Sequence, residues 1–149
     1  MAGRDAWWWA VTGLALILAG GLGALVRAVL GSRLAARGNP RAGTVAANVV
    51  GAAALGVLTG LAAGGHLDEA TLRIAGAGFC GGLTTFSTWM MEAVGLAGTR
   101  ASERTSGDGN TTPAPAGTPR PWRGAAHVGG LLILGVAAAA LGRAVSAIM

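Results

Sequence analysis

The sequence predicts an all-α membrane protein with four transmembrane helices. Of its 149 residues only 11% are charged, 52% are apolar and 27 are glycine, which is unusual for a soluble domain. A helix needs about 20 mostly apolar residues to cross a hydrocarbon core of about 30 Å, and apolar runs of that length occur four times. Alternation at period 2, which would indicate a membrane barrel, is absent. Because backbone polar groups must be paired within lipid, these runs are predicted to be helices.

The four predicted helices make up one domain, residues 1–149. They cover, approximately, residues 7–30, 44–63, 72–97 and 125–147. The segment 99–124 has a different composition, rich in Ser, Thr, Gly, Pro and charge. It cannot bury enough apolar surface to order itself, so it is predicted to be a flexible insert outside the membrane.

The charged residues argue against a nucleic-acid partner and against catalysis. All eleven basic residues are arginine, and the net charge is +5. The arginines lie mostly at the ends of apolar runs and form no stripe with aromatic residues, so they are predicted to anchor the helices in the lipid bilayer. The sequence contains no carboxylate pair, nucleophile with a base, phosphate loop or His/Cys cluster, and we therefore expect no enzyme activity.

Helix three contains the most informative stretch, residues 78–89. Two adjacent glycines, Gly81 and Gly82, are followed by four hydroxyl residues within five positions. Such a stretch does not favour a continuous helix facing lipid, and broken helices recurrently form ion sites in membrane proteins. We predict a break near Gly81 to Thr84. The alternative is an intact helix whose hydroxyls bond to their own carbonyls.

Polar residues occur in the other helices as well. Thr44 and Asn48 are four residues apart and therefore on one face of the second helix. An Asn inside a membrane is costly unless it is paired, so Asn48 is either a functional residue or an interhelical hydrogen-bonding residue. Arg27 either reaches the headgroups or ties helices together through Glu92, the only acid in a long apolar stretch.

Glycines recur at helix-packing spacings in the second and fourth helices. They are Gly56, Gly60, Gly64, Gly135 and Gly142. Small residues allow membrane helices to approach closely, so these glycines are predicted to mark helix interfaces.

Together these segments resemble the CrcB (Fluc) family of fluoride channels. The most specific match is the eleven-residue run Gly-Phe-Cys-Gly-Gly-Leu-Thr-Thr-Phe-Ser-Thr at 78–88. The other matching features are the glycine-rich first helix ending in Arg27, Gly43-Thr44 followed by Asn48 and Gly51, and Glu92. The resemblance covers all four predicted helices.

The resemblance implies an antiparallel dimer with two narrow fluoride pores. It also implies a structural sodium ion at the dimer interface, bound by the backbone carbonyls of Gly81 and Thr84. The implied pore residues are Asn48, Phe86, Ser87, Thr88, Thr44 and Trp89, and Arg27 and Glu92 are structural. Fluoride is strongly hydrated, so amide and hydroxyl donors and the positive edges of aromatic rings suit a dry path for this ion.

The function expected from the resemblance is passive export of fluoride across the cytoplasmic (inner) membrane of a bacterium by a multi-pass protein. One alternative is a proton-coupled exporter of small drugs. Such exporters depend on an acidic residue in the first helix, whereas the ionisable residue within that predicted span is Arg27. Another alternative is an assembly partner that does not conduct.

The distribution of arginines predicts a single orientation in the membrane. With alternating helices, seven arginines fall on one side: Arg33, Arg37, Arg41, Arg100, Arg104, Arg120 and Arg123. Three fall on the other: Arg4, Arg73 and Arg143. By the positive-inside rule the side with seven faces the cytoplasm, although arginines far from a helix end count for less. A chain with one fixed orientation cannot form an antiparallel homodimer.

We therefore hypothesise that this chain is one half of a heterodimer with a paralogous subunit of opposite charge bias; the homodimer is the alternative. Two departures from the family pattern favour the heterodimer: Trp89 stands in place of Phe, and Leu131 in place of a Ser. Expression of the chain alone with a reporter at each terminus should show one orientation. Equal populations of both orientations, together with robust fluoride flux from the single chain, would contradict the hypothesis.

Overall fold

The computed structural model describes residues 2–97, 103–105, 111–113 and 120–148. The first helix is Ala2–Ala36, the second is Pro40–Ala63, and the fourth is Pro121–Ser146. Between the second and fourth helices lies a divided third segment, with helical pieces Glu69–Leu72, Arg73–Cys80 (π-helical), Gly81–Leu83 and Phe86–Ala97. Two short strands, Glu103–Thr105 and Thr111–Pro113, pair antiparallel with Glu103 opposite Pro113.

The described part of the chain confirms a mainly helical protein with three helices long and apolar enough to cross a membrane. These are Ala6–Ala36, Pro40–Ala63 and Pro121–Ser146. The predicted third span is absent from this set because its longest piece, Phe86–Ala97, has only 12 residues. The count of four spans therefore stays a prediction.

Two glycines with positive φ set the ends of the first two helices. Gly38 has φ +79° and follows the first helix, and Pro40 then begins the second. Proline suits this position because its fixed φ is helical and its missing N–H would have no helical partner. Gly65, with φ +77°, follows the end of the second helix. The second helix thus begins before the predicted residue 44, because the polar residues in its first turn are still compatible with a helix.

The third segment begins at a side-chain cap. The Asp68 carboxylate accepts hydrogen bonds from the Thr71 backbone N–H at 2.8 Å and from the Thr71 hydroxyl at 3.0 Å. These bonds lower the pKa of Asp68, so the cap is present at neutral pH and is lost as the carboxylate becomes protonated in acid.

The described residues of the predicted insert 99–124 include helical ones. Residues 121–124 belong to the fourth helix, which begins at Pro121, so the helix starts before the predicted residue 125. Proline is favoured in the first turn of a helix. Residues 98–102, 106–110 and 114–119 lie outside the described residues. The flexibility predicted for that part of the chain therefore stays a prediction.

The chain forms two compact units, Met1–Thr85 with Leu132–Met149, and Phe86–Leu131. In the first unit, backbones approach closely at glycines. A Cβ added at Gly23 would clash with the Phe79 carbonyl, and one added at Gly56 would clash with the carbonyl of Ala139. A Cβ at Gly142 would likewise clash with Ala53.

One glycine predicted at an interface has no such contact among the described residues. A Cβ added at Gly135 would meet no atom within 4 Å, although Gly135 and Gly142 are seven residues apart and therefore on one face of the fourth helix. The interpretation of Gly56 and Gly142 as interface glycines is confirmed, and that of Gly135 stays a prediction.

Small residues dominate the interior, and the large apolar residues lie outside. The buried apolar residues are Ala47, Cys80, Leu83 and Ala93. Leu and Ile side chains of the first and fourth helices, such as Ile17 and Ile133, are mostly exposed. Lipid tails are as apolar as these side chains, so membrane helices associate through close packing of small residues.

Gly23→Ala should destabilise the first unit, because its methyl group would meet the Phe79 carbonyl and lie 2.8 Å from the Leu83 backbone nitrogen. Gly21→Ala is the matched control, since it adds the same methyl group to the same helix with no atom within 4 Å. Reversible unfolding in detergent micelles should show Gly23→Ala less stable than Gly21→Ala by about 1–3 kcal/mol. Equal stabilities would contradict the close approach.

Candidate functional site

The third segment loses helical geometry at two consecutive hydroxyl residues. The helical piece Gly81–Leu83 ends at Thr84, whose φ of −80° and ψ of 155° are extended. Thr85 is also non-helical, and the next helix begins at Phe86. Of the stretch in which the sequence predicted a break, Gly81 to Thr84, the first three residues are helical. The π-helical piece Arg73–Cys80 precedes this point, and π-helical turns often lie at functional sites.

The side chain of Asn48 holds the backbone of Thr85 by two hydrogen bonds. The Thr85 backbone N–H donates to Asn48 Oδ1 at 2.8 Å, and Asn48 Nδ2 donates to the Thr85 carbonyl at 3.2 Å. Non-helical backbone inside a membrane must find such partners. Asn48 is therefore an interhelical hydrogen-bonding residue. Its amide carries two N–H donors, and the bond to Thr85 uses one of them.

Thr44 and Gly51 extend the same face of the second helix. Thr44, one turn before Asn48, is only 7% exposed. Gly51 is buried, and a Cβ added there would lie 2.6 Å from the Thr84 side chain. The second helix thus brings Thr44, Asn48 and Gly51 along one line toward the non-helical residues.

Gly81 and Thr84, the predicted cation ligands, lie at the edge of an open groove. The Thr84 hydroxyl donates to the Gly81 carbonyl at 3.3 Å. Gly81 is exposed, and a Cβ added there would meet nothing within 4 Å. The groove, about 530 Å³ in volume, is lined mainly by small residues, including Gly51, Gly76 and Cys80. The groove is largely apolar, but Gly81 and Thr84 each carry a backbone carbonyl oxygen, the type of ligand that hard cations prefer.

Arg27 ties the first helix to the third segment through a backbone carbonyl. Its Nε donates to the carbonyl of Gly82 at 3.4 Å. This carbonyl lies within the last helical turn before Thr84, where carbonyls lack a continuing helix to bond to. Arg27 therefore has a partner within the protein.

In the second unit, three of the predicted pore residues form the first turn of the helix Phe86–Ala97. Phe86 is 67% exposed, and Ser87 and Thr88 are also exposed. The rings of Phe86 and Trp89 meet edge to face, with centroids 5.7 Å apart at an interplanar angle of 89°. This contact directs a positive ring edge toward a neighbouring ring face.

His127 is a candidate functional residue that the sequence reasoning missed. Its Nε2 lies 3.5 Å from Glu92 Oε2, and each side chain is 16% exposed. The helices that carry these two side chains are close together, because a Cβ at Gly124 would lie 2.6 Å from the Ala93 carbonyl. The signal in the sequence was that His127 is the sole polar side chain between Gly124 and Arg143.

Comparison with known proteins decides the family. The family described as "CrcB-like protein, Camphor Resistance (CrcB)" matches residues 14–143. This chain belongs to the CrcB family. With its three span-length helices, this CrcB-family chain is a multi-pass bacterial membrane protein.

Several relatives are named fluoride-specific ion channel FluC. FluC 1 of Leifsonia xyli is 49% identical over 86 residues, 56% of this chain and 63% of that protein. FluC 2 of Rhodococcus jostii is 41% identical over 86 residues, covering 58% of this chain and 72% of that protein. FluC 2 of Cutibacterium acnes is 38% identical over 138 residues, 90% of this chain and 96% of that protein. The match to the Leifsonia protein therefore spans less than two thirds of its length.

Proposed function

We propose that this chain is a subunit of a fluoride channel that allows passive export of fluoride across the bacterial cytoplasmic membrane. Its membership of the CrcB family supports the proposal. So does the name of the Cutibacterium acnes relative, a fluoride-specific ion channel that matches 90% of this chain. The family is one of ion channels, which is consistent with a protein that is not an enzyme.

The observation that carries the proposal is the pair of hydrogen bonds between Asn48 and Thr85. These bonds fix the side chain of Asn48 beside non-helical backbone and leave one of its N–H donors for a permeating anion. A channel must replace the water around its ion with protein groups that bind it weakly enough for release. A neutral amide donor meets this requirement, because it attracts an anion without trapping it.

The assembly that we propose is an antiparallel dimer in which each subunit has four spans and a broken third helix. The exposed Gly81 and the groove of small residues beside it support this assembly, because small residues permit close approach of another helix. Carbonyls of Gly81 and Thr84 would bind a structural sodium ion at the interface. The partner is a second copy or a paralogue, and the names FluC 1 and FluC 2 among the relatives favour paralogous pairs.

Proton-coupled drug export lacks an acid in the span-length part of the first helix, Ala6–Ala36, since Asp5 precedes it. Between residues 6 and 32 the ionisable side chain is Arg27, and this side chain bonds to the Gly82 carbonyl. An arginine remains charged at any physiological pH. It therefore cannot replace the titrating acid on which such exporters depend.

Liposomes that contain the full chain, with its paralogue where the single chain does not dimerise, should release fluoride passively. Asn48→Asp should reduce this efflux by about 100-fold or more, because a fixed negative charge repels the anion and the donor to the Thr85 carbonyl is lost. Fluoride-selective electrodes measure the efflux. Wild-type vesicles that release no fluoride would overturn the proposed function.

Asn48→Ala separates the two effects of that substitution. It removes both hydrogen bonds to Thr85 without adding charge, so its efflux should fall less than that of Asn48→Asp. Unchanged efflux in the Asp variant would remove Asn48 from the pore.

Gly81→Val should abolish dimerisation but leave the fold of the chain intact, because the open space at Gly81 would be filled by the partner. Gly21→Val is the matched control, since a Cβ at Gly21 also meets nothing within 4 Å. Thr84→Ser should be tolerated, because it keeps the carbonyl and the hydroxyl. Chemical cross-linking in vesicles measures dimerisation. A Gly81→Val dimer as abundant as the wild type would contradict the proposed interface.

A further inference from the structure

The turn between the first and second helices carries a concentration of positive charge. Arg33, Arg37 and Arg41 are all exposed, and no acidic residue occurs between Asp5 and Asp68. None of the three arginines takes part in an ion pair between described residues. The described part of the chain therefore leaves their charge uncompensated, so they can attract an anionic group from outside it.

A groove begins at one of these arginines and continues along the second helix. Asn39 and Arg41 line its first part, and all of its lining belongs to the first compact unit. Its volume is about 480 Å³. The second helix rises by about 12 Å over the length of the groove, at about 1.5 Å per residue. The remaining lining residues are apolar: Ala42, Val45, Ala46 and Val49 of the second helix and Leu134 of the fourth.

The groove lies where the second and fourth helices are no longer in backbone contact. At Gly56 and Gly142 an added Cβ would clash with backbone of the other helix. At Gly135, two turns before Gly142, an added Cβ would meet nothing within 4 Å, and its neighbour Leu134 lines the groove. The small side chains of the second helix do not fill the resulting space.

The order of groups along the groove matches that of an anionic phospholipid. A guanidinium such as that of Arg41 binds phosphate through paired N–H groups. The side chain of Asn39 makes no capping hydrogen bond to the second helix, and the positive end of the helix dipole lies at the same place. The apolar lining then continues into the membrane span. Basic pockets between membrane helices bind anionic head groups, and one lipid molecule supplies both the phosphate and the apolar chain.

We propose that the groove between the second and fourth helices binds an anionic phospholipid, with its phosphate at Arg41 and an acyl chain along Ala46 and Val49. The exposed Arg33 and Arg37 add to the attraction of the head group. This site is separate from the proposed function, because its lining includes no residue assigned to the fluoride path or to the dimer interface.

Native mass spectrometry of the full chain, released from detergent micelles with phosphatidylglycerol or phosphatidylcholine added, tests the head group. Phosphatidylglycerol should bind about fivefold more tightly than phosphatidylcholine, and Arg41→Gln should remove that preference. Arg143→Gln is the matched control, since it removes the same charge in the last turn of the fourth helix, outside the groove. Equal binding of the two lipids, or equal losses in the two variants, would overturn the proposal.

Filling the groove tests the acyl chain. Ala46→Leu should weaken phosphatidylglycerol binding by about fivefold, because the larger side chain takes the place of buried methylene groups of the lipid. Ala140→Leu is the matched control, at an exposed alanine of the fourth helix that does not line the groove. Unchanged lipid binding in Ala46→Leu would overturn the site. A loss of dimer in that variant, with lipid binding unchanged, would also overturn it, since a second copy and not a lipid would then occupy the groove. Arg41→Gln alters an exposed side chain and gives its result even where Ala46→Leu does not fold.

Discussion

The structure of this protein depends on the requirement that every backbone polar group inside a membrane has a partner. The non-helical backbone at Thr84 and Thr85 interrupts the hydrogen bonding of the third segment, and the amide of Asn48 bonds to Thr85 with one donor and one acceptor. An aspartate side chain could accept the bond from the Thr85 N–H but could not donate to its carbonyl, and an alanine could do neither. The asparagine amide can make both hydrogen bonds. The same requirement explains why Arg27 bonds to the carbonyl of Gly82. In both cases a side chain from another helix supports the backbone at or just before the point where it leaves helical geometry.

Close packing through small residues is the second constraint, and it limits what one chain can enclose. Gly23, Gly56 and Gly142 bring backbones of the first unit into direct contact. Gly81 and Phe86, by contrast, are exposed. Exposed residues of this kind can line a path only when a further surface covers them, as in the dimer proposed above.

The sequence predicted the features that follow from local pattern. Apolar length predicted the three span-length helices, and the non-helical residues Thr84 and Thr85 lie in the glycine and threonine run. The features that depend on contacts between distant segments were not predictable from pattern alone. Asn48 meets Thr85 and His127 meets Glu92 because of how whole helices pack. Gly135 and Gly142 are seven residues apart on one face of the fourth helix, yet Gly142 packs against Ala53 and Gly135 meets no described atom within 4 Å, a difference that the sequence pattern does not contain.

The Glu92–His127 contact changes the argument for a heterodimer. Part of that argument was chemical: Leu131 stands in the fourth helix in place of a Ser. His127 lies beside Glu92 and one turn before Leu131, so this face of the fourth helix carries a polar group despite that departure. The remaining argument is electrostatic. Arg27 bonds within the protein and is correctly omitted from the loop charges, which leaves the imbalance between the two sides as it was. Because arginine bias acts on insertion and not on conduction, it bears on the heterodimer hypothesis independently of which polar groups this chain carries.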